Sequence, residues 1–224
     1  QDIDIYKTAN GTDWQDVVFG DTGTTFSHSV SVSGGSSQVN YTANYNRIDD
    51  EAIMMGSNYE MDNFSAKLNV EPKKWLKFNF GIRYSDTKVK GGGANDVTGS
   101  EKSTSDSRLK NAVIYTPIPL KNMTAEDDEA ESSSALYPPT TTIADNDREK
   151  KNKIFNLNGG ISIKPMKGLT LRSEISSESR IGEDYRFYGL TTYYVTSGNA
   201  KIKDQPAIET KNTDYNSFRN TNTV

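Results

Sequence analysis

Residues 29–46 read SVSVSGGSSQVNYTANYN, and after the central turn they alternate with a period of two. Val39, Tyr41, Ala43 and Tyr45 fall on one side of an extended chain, and Asn40, Thr42, Asn44 and Asn46 on the other. Successive side chains of a strand point to opposite faces, so this is a strand with one apolar and one polar face. What lies against the apolar face decides the fold. It is either the core of a soluble sandwich or lipid.

Further segments repeat the pattern. Phe64, Ala66, Leu68 and Val70 alternate with Ser65, Lys67, Asn69 and Glu71. Leu76, Phe78, Phe80, Ile82 and Tyr84 alternate with Lys77, Asn79, Gly81, Arg83 and Ser85. Phe155, Leu157, Ile161 and Ile163 alternate with Asn156, Asn158, Ser162 and Lys164, and Leu169, Leu171 and Ile175 continue the series. Stretches 28–33 and 215–223 read as strands with a weaker pattern. About seven long strands are expected, near the roughly 9–11 residues that cross a bilayer at a tilt.

The connections have a rhythm. Short turns at Gly34–Ser37, Pro72–Lys74 and Pro165–Gly168 alternate with longer excursions at 49–62, near 88–152 and near 182–212. Short turns on one side and long loops on the other are the pattern of an up-and-down antiparallel transmembrane β-barrel, with periplasmic turns and extracellular loops. Residues 1–26 are expected to form a periplasmic connection with a short helix, and 27–224 a partial barrel. Within the first long loop, Leu109, Ala112 and Val113 suggest a short helix capped by Ser105 or Asp106 and stopped before Pro117. Gly91-Gly92-Gly93 reads as loop punctuation.

Composition narrows the class. The 224 residues are 33% hydrophobic with mean hydropathy -0.74, poor for a self-contained soluble core of this length. Aromatic content of 10% argues against disorder. A barrel with a polar lumen dilutes its apolar signal and satisfies both observations. Net charge of -4 disfavours a nucleic-acid partner, which needs a basic stripe to neutralise phosphates. Without cysteine, neither disulfides nor thiolate metal sites are available. No apolar run is long enough for a membrane helix. The chain opens at Gln1 without the basic and apolar regions of a leader, so an exported protein is expected to be seen in mature or truncated form.

Chemistry-bearing motifs are few. His28 is alone, and no nucleophile elbow, phosphate loop or zinc-ligand spacing occurs, so no catalytic residue, metal or cofactor is assigned. The acidic run Glu126 to Glu131 and the group Asp145-Asn146-Asp147 carry oxygen ligands but match no calcium loop. Candidate substrate contacts are the loop aromatics Tyr137, Tyr188, Tyr193 and Tyr194, whose rings could stack on sugars or peptide apolar groups. Barrel geometry would put Asn40, Asn44, Asn79, Arg83, Asn156 and Asn158 toward the lumen. Val39, Tyr41, Tyr45, Leu68, Phe78, Phe80, Ile161 and Leu171 would meet lipid. Trp75, beside a tight turn, suits a membrane interface. The alternatives are a secreted soluble β-sandwich that binds glycan, and a polysaccharide-degrading enzyme with an unmarked carboxylate pair.

Three stretches in order carry a resemblance: GTDWQDVVF (Gly11–Phe19), HSVSVSGGSSQVNYTANYN (His28–Asn46) and NFSAKLNVEPKKWLKFNFGIRYS (Asn63–Ser85). With ALYPPTTTI (Ala135–Ile143) and KGLTLRSEI (Lys167–Ile175), they resemble the SusC/RagA family of TonB-dependent outer-membrane transporters. The resemblance implies a barrel of about 22 strands, of which this chain is an early portion. It also implies uptake of oligosaccharides or peptides across the outer membrane of a Bacteroidota-like Gram-negative cell. The implied partners are a SusD-like surface lipoprotein, outer-membrane lipid, and TonB acting through a plug domain that these residues do not include. No enzymatic step is implied.

Overall fold

A computed structural model of the chain describes residues 10–91, 108–118, 137–192, 194–195 and 205–224. Seven strands make one antiparallel sheet: β1 (Thr24–Gly35), β2 (Val39–Glu51), β3 (Asn58–Lys73), β4 (Leu76–Lys90), β5 (Arg148–Met166), β6 (Leu169–Tyr188) and β7 (Ala207–Thr223). Their spatial order is their chain order, β1 through β7. That is an up-and-down meander in a single layer, where a sandwich would divide its strands between two sheets.

Turn chemistry sets the register. At the β1–β2 turn the Ser36 hydroxyl oxygen accepts from the backbone N–H groups of Gln38 and Val39, at 3.2 and 3.3 Å. The next two hairpins use one device twice, in EPKKWL (Glu71–Leu76) and KPMKGL (Lys164–Leu169). Pairing shifts between Val70 and Lys73, and again between Ile163 and Met166. Each shift contains a proline, Pro72 or Pro165, and a bulge is where a residue without an N–H can enter a sheet. Both hairpins then close in two residues, the second through Gly168 at φ +89. These three turns share one end of the sheet.

Register carries the period-two pattern across strands. Val39 pairs with Val70, which pairs with Phe78, which pairs with Ile161. Further along lie Tyr41, Leu68 and Phe80, then Ala43, Ala66, Ile82 and Leu157. A row of rings, Tyr45, Phe64, Tyr84 and Phe155, ends the apolar region. The next row on that face is charged: Arg47, Asp62, Asp86 and Lys153. Asp62 accepts from the Tyr45 hydroxyl at 2.5 Å and from the Arg47 guanidinium at 3.0 Å, joining the two rows. On this face Tyr41 is 47% and Phe80 47% exposed, since among the described residues no second layer covers them. Across β6 and β7 the same face turns polar, with Ser173, Ser177, Asn216 and Asn220 beside Ile175 and Phe218.

Glycine shapes both faces. On the apolar side the ring of Tyr41 lies over Gly34, where an added Cβ would fall 2.5 Å from its hydroxyl. On the polar side Asn79 covers Gly160 and Asn158 covers Gly81, two reciprocal cross-strand pairs.

The other end of the sheet departs from expectation in two ways. First, the strands run further than their alternation suggests. The long excursions narrow to 52–57, 91–147 and 189–206. Stretches such as Gly182-Glu183-Asp184-Tyr185-Arg186 pair fully but carry polar groups on both faces, so no alternation marks them. Second, the short helix expected within 1–26 is present, as α1 (Trp14–Phe19), but at the long-loop end. Thr24, the start of β1, pairs with Glu51 at the end opposite the tight turns. The segment therefore stands at the end opposite the turns with which the sequence grouped it.

There α1 packs with α2 (Arg108–Ile114) and α3 (Pro139–Ala144) around Val18, Ala112 and Ile143, with Trp14, Phe19 and Met55 at the margin. Asp13 caps α1, its carboxylate accepting from the N–H groups of Gln15 and Asp16 at 3.0 and 3.1 Å.

Gly160→Val should crowd Asn79 off its neighbour and destabilise the sheet by about 1–3 kcal/mol, the usual cost of overpacking. The double variant with Asn79→Ala should recover most of the loss. Urea unfolding of the full-length protein in detergent measures both, and equal losses in the single and double variants would refute the pairing.

Candidate functional site

The polar face of the sheet is the broadest chemical surface. Asn40 stands in one cross-strand row with Asn69, Asn79 and Gly160. Asn44 stands with Ser65, Arg83 and Asn156. The hydroxyl of Ser31 donates to Asn44 Oδ1 at 2.7 Å, and Asn44 Nδ2 donates to Ser65 Oγ at 3.4 Å, which fixes that amide. Amides held this way present donors and acceptors side by side at short reach, a surface suited to hydroxyl and peptide groups.

Two hollows open on this face. The one toward the tight turns, of about 560 Å³, is bordered by Asn40, Asn69, Asn79, Ser162 and Arg172. The other, of about 400 Å³, lies toward the long loops between β5, β6 and β7.

At the long-loop end the helical cluster is tied to the sheet by one cation. Arg108 Nη1 donates to the Met55 carbonyl and the Ser57 hydroxyl, each at 3.2 Å, and Nη2 to the Asn146 carbonyl at 3.4 Å. It therefore joins α2, the β2–β3 turn and the segment entering β5. Burial, with Arg148 nearby, lowers its pKa from the ordinary arginine value, which leaves it a cation at any physiological pH. Trp14 makes a second tie: its indole N–H donates to the Thr116 carbonyl at 2.9 Å, and its ring meets Tyr115 edge-on at 5.2 Å. Backbone joins too, Met55 N–H donating to the Val18 carbonyl at 2.9 Å.

Comparison with known proteins gives the frame. No family model matches the sequence. A stretch of 97 residues is 37% identical to the TonB-dependent receptor SusC of Bacteroides thetaiotaomicron, covering 39% of this chain and 9% of SusC. The fold is similar to that of the RagAB peptide transporter, with a TM-score of 0.60 at 18% identity over 95% of this chain and 23% of that one. Against the RagAB peptide importer in its open-open state the TM-score is 0.63 at 19% identity, over 95% and 22%. Likeness to SusC in sequence and to RagAB in fold supports a SusC/RagA-family fragment. It spans less than a quarter of the length of each of these relatives.

On this sheet the sequence-assigned residues sort cleanly by face. Asn40, Asn44, Asn79, Arg83, Asn156 and Asn158 share the polar side. Val39, Tyr41, Tyr45, Leu68, Phe78, Phe80, Ile161 and Leu171 share the other. The loop aromatics are less uniform. Tyr188 and Tyr194 stack on each other at 4.4 Å, and Tyr188 is 3% exposed with its hydroxyl donating to Glu209, so its ring faces are already occupied. Tyr137 is half-buried just before α3. Tyr193, Ser105, Asp106, the acidic run Glu126 to Glu131 and Gly92-Gly93 lie outside the described residues. Asp145 spends its carboxylate on the Thr191 N–H at 2.9 Å, and Asn146 Oδ1 accepts from Arg148 at 3.0 Å.

Sequence reasoning missed Arg108 and the T-D-W-Q-D helix as loop anchors. The pairing of Asp13 with Trp14 is a capping signal, but its receptor at Thr116 is about a hundred residues away. Arg108→Ala should strip its part-buried hydrogen bonds and loosen the long-loop end by about 1–3 kcal/mol. Limited proteolysis should then cut within 92–147 several times faster while the strands resist, and unchanged cleavage would count against the tie.

Proposed function

We infer that the chain is a stretch of the barrel wall of an outer-membrane, TonB-dependent transporter importing oligosaccharides or peptides. The observation that carries this reading is the ordered face of β2 to β5. Apolar rows run from Ile163 to Phe155 on β5, a span of roughly 26 Å along the strand at about 3.3 Å per residue. An aromatic row and then a charged row follow. A tilted strand of that length supplies an apolar band close to the bilayer's, with rings at the interface and charges in water. Trp75, 50% exposed at the tight turn, marks the opposite interface.

In this reading the asparagine-lined face is the lumen, and Val39, Tyr41, Tyr45, Leu68, Phe78, Phe80, Ile161 and Leu171 meet lipid. The tight turns are periplasmic, and the helical cluster with the long loops is extracellular, in position to meet a SusD-like lipoprotein. TonB acts through a plug domain elsewhere in the full protein. Transport needs no bond-making chemistry from this wall. It needs hydrogen-bonding groups that hold cargo weakly at many points, and held amides supply them. Likeness to SusC in sequence and to RagAB in fold supports the family part of the reading.

Arginine at Tyr41, Phe78 or Phe80 should destabilise the full-length barrel by about 2–4 kcal/mol near the bilayer midplane. Arginine at Asn44, on the lumen side, should be tolerated. Unfolding in lipid bilayers reads the difference, and tolerance of all three outward arginines would remove lipid from that face.

A further inference from the structure

The hollow between β5, β6 and β7 is richer in charge than the middle of β2 to β5. There the polar face is mostly asparagine, serine and threonine, with single cations at Lys67 and Arg83. At the hollow the register brings Lys150, Asp184 and Lys211 into one row, and Ile154, Arg180 and Tyr215 into another four residues further toward the tight turns. Three cations, Lys150, Arg180 and Lys211, border the cavity.

The nearby carboxylates are already committed. Asp184 takes two bonds from Arg186, at Nε and Nη2, both 3.3 Å, and both side chains are largely buried. Glu178 holds Arg180 through Nε alone. The guanidinium lies 5.8 Å over the Tyr215 ring, and its two terminal nitrogens find no acceptor among the described residues. Lys211 is exposed and has no ion pair among the described residues. Glu183 borders the hollow too, but strand alternation sends its side chain to the opposite face, where it acts on Lys151. The local balance is positive.

The floor is open by construction. Gly182 pairs with both Asn152 and Thr213, and a Cβ there would sit 3.3 Å from Asn152 Oδ1 and 3.7 Å from Thr213 Cβ. The remaining lining is an amide, a hydroxyl and a phenol: Asn152, Thr213 and Tyr215. These are short hydrogen-bonding groups beside a ring, and the lining of the hollow includes no aliphatic side chain.

We propose that this hollow is a cargo subsite for acidic oligosaccharides, in which Arg180 and Lys211 bind the carboxylate or sulfate of a sugar unit. Lys150 adds charge from β5, while Asn152 and Thr213 bond its ring hydroxyls over the space that Gly182 leaves. An anion held by the planar guanidinium fork and an ammonium makes charge-assisted bonds, which are the strong ones in such a site. The proposal rests on the transporter reading for its location in the lumen, but the binding itself is measured without it.

The test uses purified full-length protein in detergent, titrated by calorimetry with an oligogalacturonate, a sulfated galactan oligomer, a neutral galacto-oligosaccharide and an oligoglutamate peptide. Wild type should bind one or both acidic sugars, the neutral sugar at least about tenfold more weakly, and the peptide no better than the neutral sugar. The two acidic sugars tell carboxylate from sulfate. Arg180→Gln with Lys211→Gln should cost about tenfold or more for the acidic sugar and leave the neutral one unchanged. Gly182→Val, which fills the floor but keeps every cation, should cause a comparable loss. Wild-type affinity in both variants, preference for the peptide, or equal binding of acidic and neutral sugars would overturn the subsite. Fractionation of cells separates the two readings: protein outside the outer membrane refutes the transporter, whatever the titration shows.

Discussion

Every other feature of this chain depends on the continuous antiparallel hydrogen bonding of seven neighbouring strands. Once β1 to β7 pair in chain order, the period of two in each strand becomes a property of the sheet. A slip of one residue anywhere would mix asparagines with aromatics on both sides. Turn chemistry prevents it. Ser36 locks one hairpin, and the two proline bulges followed by two-residue turns lock the next pair in the same way. The face that results has apolar, aromatic and charged rows in that order, which is the order of a membrane and its edge.

The two ends of the sheet solve different problems. At the tight-turn end the chain only has to reverse. At the other end it must return across tens of residues and still present a defined surface, and a small helical core does this. Val18, Ala112 and Ile143 come from three distant segments and bury little area together. Polar ties make up the deficit, with Arg108 and the Trp14 indole reaching backbone carbonyls of other segments. Such a cluster is held by few interactions, so it sits at the low end of local stability, where elements that move or meet partners are drawn from.

On the polar face, glycine works as a spacer for side chains. Gly81 and Gly160 leave room for the facing asparagines Asn158 and Asn79. Gly182 does the converse, leaving room where three cations gather. Neutral hydrogen bonding prevails in the middle of β2 to β5, and charge is denser across β5 to β7.

The strand faces, the tight turns and the class of fold were legible in the sequence, because alternation and proline or glycine punctuation are local. Val39 to Tyr45 and Leu76 to Tyr84 show their two sides without any partner in view. The outer ends of the strands were not legible, since at Gly182 to Arg186 both faces meet polar surroundings and the alternation disappears. Nor was the position of α1, because the short range of a helix cap tells where a helix starts and not which end of a sheet it joins. Arg108, the closed stack of Tyr188 on Tyr194, and the basic hollow of Lys150, Arg180 and Lys211 depend on residues far apart in the chain. Local physics determined which side of each strand is apolar. Only the pairing of the strands decided which residues meet, because register, loop closure and charge clustering are set by contacts between segments and not within them.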